Sequence, residues 1–435
     1  MKLKILIISY YFPPLGLSGV QRVAKFVKYL CDEGFDITVI APEKVAYFAY
    51  DDSLEKELIE KNVKIIRVKG NEPHSFLSNK NPIKMPSEFW RKLFNRLSQT
   101  FFLPDNKKSW SKKAYYEAQK ILSKEQFDII FSSAPPFSMF SYVAKLGKEF
   151  NLPVALDYRD LFYQNQFSFY PTPFHRLYIK FYEKKYLKNV ERIFVINRQI
   201  KEFLLTTYPF LDFNKIYILP HGYDPEDFEK VNLQKKIKNL LNNDDKIIVT
   251  YCGIFYEFIT PKYFLKAYKK LLDTKPEIAG KIHLRFVGHL NKTNINIIKT
   301  LKLFDKVEIV EYVEHNKAIE YLLESDVLWL MVGKSKNSHT ISTSKLYEYI
   351  ASRKPIIGCV VDGAAKQALK EYGCSIIVDP YDIDAIQKVF EKILLMTKKK
   401  LFPQPNENFI QSCDRKKLTS QLAIELRKLV FKNLA

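Results

Sequence analysis

At 435 residues, with 47% hydrophobic residues, 13 glycines and 21 prolines, the chain has a globular composition and the length of two domains. Apolar runs such as "IIFSSAPP" and "DVLWLMV" are far too short for a membrane span, which takes about 20 residues. The formal net charge of +21 admits nucleic acid, an anionic membrane or acidic ligands as partners, but no RNA- or DNA-binding signature accompanies it, so nucleic acid is set aside.

The first apolar run, "LKILIIS", predicts a strand over 3–9. It breaks at Pro13-Pro14 with no small-residue cleavage site beyond, which argues against a signal peptide. "YYFPPLGLSGVQR" (10–22) follows, and a helix starting near Val20 is predicted to bury Val20, Val23, Val27 and Leu30. Gly16 and Gly19 thus stand at the carboxyl end of a strand, where parallel sheets bind ligands. Glycine lets the backbone approach a ligand, and the helix amides favour a phosphate or a sugar hydroxyl. A tight turn that needs glycine is the alternative, because only Gly-x-x-Gly is present. Further strands are predicted over 36–41, 63–68, 128–133, 153–157, 192–196 and 216–219. Residues 61–120 hold 14 Lys/Arg against 4 Asp/Glu, and "SEFWRKLFNRLSQTFFLP" (87–104) interleaves aromatic residues and leucines with basic ones. That pattern fits a helix lying on an anionic lipid surface, or a core-packed helix with a solvated basic face.

The strand series restarts after residue 225, over 246–251, 282–287, 307–310, 326–331, 355–360 and 375–378. Strand–helix alternation predicts parallel sheets covered on both faces. Two series predict an α/β chain of two doubly wound Rossmann-like domains. The polar stretch "DPEDFEKVNLQKKIKNLLNNDDK" marks the join, giving an N-terminal domain over 1–223, a linker over 224–245 and a C-terminal domain over 246–405. The segment 406–435 carries a last helix over about 415–432, with Leu418, Leu422, Ile424, Leu426 and Leu429 among polar residues; it can pack on either domain, including back on the N-terminal one. The five cysteines (31, 252, 359, 374, 413) show no pairing or metal spacing and are expected as free, buried thiols in a reducing cytosol.

"YYFPPLGLSGVQRVAKFVKYLCDEGFDITVIAP" resembles the start of retaining GT-B glycosyltransferases of family 4, of the bacterial polysaccharide-biosynthesis type. "LPDNKKSW", "FDIIFSSAPPFS", "LPVALDYRDLF", "LPHGYD", "VTYCGIFY", "VEHNKAIEYLLESDVLWLM" and "STSKLYEYIASRKPII" follow in the family's order, so the resemblance spans essentially the whole chain. One departure is Leu17, where the family's pattern has the second glycine of a pair. The resemblance implies a GT-B fold, two Rossmann-like domains facing a cleft, with the first domain on the acceptor side and the second holding the donor. It implies transfer of a sugar from a nucleotide diphosphate sugar to a growing, lipid-linked glycan with retention. The expected site is cytoplasmic, peripheral at the inner face of the cell membrane, with residues 84–113 on the anionic surface. No cofactor is expected beyond the donor substrate. No metal is expected either: no Asp-x-Asp pair ends a suitable strand, "DIDA" (382–385) reads as a helix start, and no Cys/His cluster suggests zinc. Two alternatives are a GT-B sugar-nucleotide epimerase, which needs no acceptor and no basic helix, and a non-catalytic nucleotide-sugar-binding subunit of a polysaccharide assembly complex.

The candidate donor-binding residues are Gly16, Gly19, His221, Gly253, Thr343, Ser344, Lys345 and Glu348. Glu348, on the first turns of a helix, can accept hydrogen bonds from both ribose hydroxyls, and the small residues Ser342, Thr343 and Ser344 leave amides free for the diphosphate. Lys345 supplies positive charge, or is merely solvated. The family's paired-glutamate motif places a second Glu where this chain has Thr340. Gly253 forms a strand-to-helix corner; the loop after it reads "EFIT" where a basic residue is usual, with Lys262 as the substitute. In "LDYRD", Asp157, Arg159 and Asp160 are the candidate catalytic residues, two carboxylates around an Arg that orient an acceptor hydroxyl and stabilise developing charge. A structural Asp–Arg ion pair is the alternative. His221 either caps a strand or touches the donor.

Overall fold

The computed structural model describes residues 2–45, 47–70, 88–235 and 246–434. The chain divides into two compact units, the first made of Met1–Pro86, Trp90–Pro220 and Arg415–Ala435, the second of Ser87–Phe89 and His221–Asp414.

The first unit is built on seven parallel strands: β1 Lys4–Ile8, β2 Asp36–Pro42, β3 Lys64–Val68, β4 Ile129–Ala134, β5 Val154–Tyr158, β6 Arg192–Val195 and β7 Ile216–Ile218, in the order β3-β2-β1-β4-β5-β6-β7. Strands covered by helices on both faces read as continuous apolar runs; β4 and β5 are accordingly buried at every position. The register pairs Ile5 of β1 with Ile37 on one side and Ile129 on the other. Helix Ser18–Asp32 buries Val20, Val23, Val27 and Leu30 completely, the stripe its spacing predicts. Three of them join Ile5, Ile7, Phe131 and Phe194 in a core that also takes Leu418, Leu422, Leu426 and Leu429. Those leucines come from the last helix, Arg415–Leu434, which therefore belongs to the first unit. Ile424 falls off the stripe and is 49% exposed. Ser420 Oγ donates to Glu33 at 2.5 Å, and Arg192 pairs with Glu425 at 3.1 Å, fixing this helix on the sheet.

The second unit holds six parallel strands, β8 Ile247–Cys252, β9 Ile282–Val287, β10 Val307–Val310, β11 Val327–Val332, β12 Ile356–Val360 and β13 Ser375–Val378, in the order β10-β9-β8-β11-β12-β13. "DVLWLMV" is β11, and its Trp329 is fully buried, stacked on Phe264 at 3.8 Å. Both units are doubly wound α/β folds of Rossmann type. The polar 224–245 stretch opens with a helix, Pro225–Lys235, started by a proline with Glu226 and Asp227 in its first turn, both favourable there. Its remainder, 236–245, lies outside the described residues.

Of the 84–113 stretch, residues 84–87 lie outside the described residues. The rest forms helix Glu88–Phe101, which buries none of its residues, and the start of helix Lys108–Leu122, which buries Trp110 and Ser111. The first of these helices is therefore not core-packed. All five cysteines are free; Cys359, Cys374 and Cys413 are buried, whereas Cys31 and Cys252 are only half-buried. Among the described residues no helix is long and apolar enough to cross a membrane.

Candidate active site

Ligands of open parallel sheets bind beyond the carboxyl ends of the strands, where the strand order reverses. In the first unit the reversal lies between β1 and β4, in the second between β8 and β11.

At the carboxyl end of β5, Asp157 is fully buried. Its carboxylate accepts from Arg22 Nε at 3.0 Å and Nη2 at 2.8 Å, and from Ser133 Oγ at 2.7 Å. Arg22, 1% exposed, also donates to the carbonyls of Leu219 at 2.9 Å and Pro220 at 2.8 Å. The sequence alternative of a structural Asp–Arg pair is thus what Asp157 makes, but with Arg22 instead of its neighbour Arg159. Arg159 donates through Nε to Ala134 O at 2.7 Å and through Nη1 to Gly19 O. Its Nη2 is buried with no partner among the described residues. Gly19 and Arg159 are therefore brought together, and the approach is close: a β-carbon on Gly19 would sit 3.4 Å from Nη1. Asp160 is half-buried, and its carboxylate meets Gln166 Nε2 only at 3.5 Å. Burial pushes its carboxyl above the usual range, against the pull of Arg159. Of the three "DYRD" charges, Asp160 is the carboxylate left with unfilled acceptor sites. Gly16 is otherwise engaged: its N–H donates to Ala49 O at 2.9 Å. Beside it Leu17 adopts φ 71°, ψ 163°, a backbone region essentially reserved for glycine, at the position where the resemblance expects one.

In the second unit β8 ends at Cys252, whose N–H donates to Tyr349 Oη at 2.7 Å. Gly253 follows at φ 135°, and a β-carbon there would collide with the Lys345 ammonium. That ammonium donates to Tyr251 Oη at 2.8 Å and lies 4.3 Å above the Tyr251 ring. Although Lys345 as a residue keeps some exposure, burial of its charged end lowers its pKa to about 8, with Cys252 and Glu348 opposing the shift. Thr343 precedes helix Ser344–Ala351 without a side-chain cap bond, so the first amides of that helix are not taken up by it. On the same helix Glu348 has a side chain 17% exposed; His315 Nδ1 is 4.0 Å from its Oε1, and His315 Nε2 is 3.3 Å from Asp227 Oδ2. Thr340 turns its hydroxyl to Asn337 O at 2.9 Å and is 3% exposed. The Lys262 ammonium lies 5.6 Å from the Tyr263 ring. His221 is buried, edge-on to Tyr347 at 6.1 Å.

The second unit thus gathers Gly253, Thr343, Ser344, Lys345 and Glu348 around one helix start: a cation, a carboxylate and first-turn amides that the Thr343 side chain does not cap. Arg22, Tyr251 and His315 were not foreseen. Arg22 lies in the quoted loop-to-helix stretch, and a lone arginine amid that helix's apolar residues is the available signal; nothing in the spacing ties His315 to Glu348. Among the described residues no group of three or more His, Cys, Asp or Glu is placed to hold a metal.

Residues 18–227 match the family described as Glycosyltransferase Family 4, and residues 232–408 the family described as Glycosyl transferases group 1. No curated protein matches the chain. Among solved structures, a sucrose-phosphate synthase from Thermosynechococcus elongatus is 14% identical with a TM-score of 0.64, covering 98% of this chain and 99% of that one. A glycosyltransferase from Rickettsia africae is 18% identical with a TM-score of 0.57, covering 100% and 97%. An α,α-trehalose 6-phosphate synthase from Burkholderia multivorans is 11% identical with a TM-score of 0.65, covering 99% and 100%. At these identities the likeness is one of fold.

Proposed function

Because the chain belongs to the GT-B glycosyltransferases of the family 4 and group 1 type, we propose that it moves a sugar from a nucleotide diphosphate sugar to a growing, lipid-linked glycan with retention of configuration. The observation that supports this most is the convergence of Lys345, Gly253 and Glu348 at the start of helix Ser344–Ala351, beyond the β8/β11 reversal. In this reading Glu348 accepts the ribose hydroxyls. The Lys345 ammonium and the amides of Ser344 and Lys345 meet the diphosphate, so protein groups do what a cation does elsewhere, and no cofactor takes part. His221 supports the site through Tyr347.

In the first unit Asp160 orients the acceptor hydroxyl and takes up its proton, and Arg159 Nη2 stabilises charge that develops nearby. Asp157 is a positioning residue that fixes Arg22 and the end of β5, and Gly19 positions Arg159. The basic, aromatic face of residues 88–113 rests on the anionic inner surface of the cell membrane.

The test is a panel of nucleotide sugars scored by thermal stabilisation of the full chain. A ligand at about 100 times its Kd adds about 2.7 kcal/mol, so the correct donor stands out as a clear rise in Tm. With that donor saturating, Asp160→Asn lowers kcat about a hundredfold while leaving donor affinity near parental. If no nucleotide sugar raises Tm, the reading fails. Donor conversion without any acceptor would assign an epimerase instead.

A further inference from the structure

A surface helix ordinarily turns its apolar stripe inward. Helix Glu88–Phe101 does the reverse: Trp90, Leu93, Phe94, Leu97 and Phe101 are 37–73% exposed, while Asn95, Ser98 and Gln99 line a cavity beneath it. Gln99 holds this orientation, accepting from Phe169 N–H at 2.6 Å and donating to Phe167 O at 3.2 Å. Helix Pro173–Leu187 adds a second outward stripe, with Phe174, Leu177 and Phe181 65–70% exposed while Ile179, Tyr186 and Leu187 are buried. His175 Nε2 meets Thr100 O at 3.2 Å and ties the two helices together.

The cavity between them measures about 280 Å³, and its walls include Ser98, Phe102, Phe162, Phe169 and Ile179. Two cations stand outside the walls, against the wall residues Phe169 and Leu103, and form its rim. Arg96 lies over the Phe169 ring at 5.2 Å, and Lys108 Nζ donates to Leu103 O at 3.3 Å. Asp105 is also among the walls, its carboxylate accepting from the Ser138 N–H at 2.7 Å and from Ser138 Oγ at 2.9 Å. A cavity in which aromatic and aliphatic side chains share the walls with the polar Asn95, Gln99, Asn165 and Ser168, two bordering cations and two exposed aromatic stripes together fit one chemistry, an apolar chain carrying a negative headgroup.

Resting on the lipid-linked acceptor reading above, we propose that this cavity takes the first part of the apolar chain of a lipid phosphate. The phosphate lies at the Arg96/Lys108 rim, and the two helix stripes sit in the membrane interface on either side. The volume is near the lower end of the roughly 300–1,000 Å³ usual for ligand sites, which suits a short run of chain carbons and leaves the remainder in the bilayer.

Farnesyl phosphate, titrated into the full-length protein in vesicle-free buffer, is the probe. The wild type and Ser98→Ala bind it, and Ser98→Trp, which fills the cavity from a helix that buries nothing, binds about tenfold more weakly. Asn95→Trp is the second filling variant should Ser98→Trp lose its thermal transition. Farnesol binds more weakly than farnesyl phosphate; equal binding of the two overturns the role of the rim. The combined variant Phe174→Ser, Leu177→Ser, Phe181→Ser loses flotation with phosphatidylglycerol vesicles; unchanged flotation overturns the role of the second stripe. No binding of farnesyl phosphate by the wild type, or equal binding by the filled variants, overturns the cavity assignment. If the donor panel still raises Tm in that case, the transferase reading stands and only the cavity is lost. A chain that binds farnesyl phosphate but responds to no nucleotide sugar loses the transferase reading instead.

Discussion

Asp157 and Glu348 both sit close to the carboxyl ends of parallel strands, one in each unit, and both carry motifs that point to sugar transfer. Their surroundings differ in kind. Asp157 is fully buried, with Arg22 and Ser133 filling its acceptor sites. Glu348 keeps 17% of its side chain exposed, and its facing histidine stands off at 4.0 Å. The cations repeat the contrast. Arg22 spends its donors on Asp157 and two carbonyls, whereas Lys345 makes its bond to a tyrosine hydroxyl and is held by desolvation in a weakened charged state. A charge fully buried and bonded inside the fold holds a shape; one still partly open to solvent can meet a ligand.

The sharpest way to break this contrast is to remove each carboxylate in turn and ask what is lost. Asp157→Asn leaves Arg22 buried without its counter-charge. Breaking a buried pair of this kind costs about 3–5 kcal/mol, so urea or thermal unfolding of this variant shifts strongly. Asp160→Asn, at a half-buried and loosely bonded carboxylate, costs about 1 kcal/mol, the centre of the range for point substitutions. Equal losses in the two variants would erase the distinction between a positioning and an acting carboxylate.

Glu348→Ala gives the opposite profile. Its stability stays near parental, and affinity for the nucleotide sugar falls by about 2–3 kcal/mol, the scale of hydrogen bonds to a charged group. Calorimetric titration measures this directly, and an unchanged Kd would move the ribose away from Glu348.

Lys345 sharpens the comparison through pH. Its folded pKa of about 8 lies below the ordinary 10.5, so the ammonium is lost as pH rises through about 8 in the free protein. Affinity for a diphosphate therefore declines above that pH, and a bound diphosphate shifts the midpoint upward because it favours the charged form. The linked effect on folding has the reverse sign. Between about 8 and the ordinary value of 10.5 the unfolded chain binds more protons than the folded one, so Lys345 makes stability rise with pH in that window. Lys345→Met flattens both trends; affinity that still falls through pH 8 in this variant would assign the titration to another group.

How far these features could be read from sequence depends on the range of the interaction. The strands and the stripe of Val20, Val23, Val27 and Leu30 are local periodicities, and each segment expected to be a strand is one. The order and spacing of the Gly253 and Ser342–Glu348 motifs likewise point to one site, because the fold brings strand ends together by rule. The Arg22–Asp157 pair spans 135 positions and leaves no local trace. Nor does periodicity tell which way a stripe faces: that of residues 88–101 is plain in the sequence, yet its outward turn is set by Gln99 bonding to a loop near Phe169.

Two backbone positions carry the comparison to its smallest scale. Gly253 at φ 135° and Leu17 at φ 71° both lie in left-handed space, one in each unit, but only one of them is a glycine. Placing a side chain at Gly253, as in Gly253→Ala, adds strain and drives a carbon into the Lys345 ammonium, so both stability and donor affinity fall. At Leu17 the strain is already present, of order 1–3 kcal/mol for such a residue. Leu17→Gly relieves it but adds roughly 0.5–1 kcal/mol of unfolded-chain entropy and gives up the partial burial of the leucine. The net expected gain is about 1 kcal/mol, a rise in Tm of about 2–4 °C at the scale of domains of 150–250 residues. Donor affinity, set in the other unit, does not change. A fall in Tm would mean that the packing of the Leu17 side chain outweighs its backbone strain, and that the loop between Gly16 and Gly19 is held by side-chain burial.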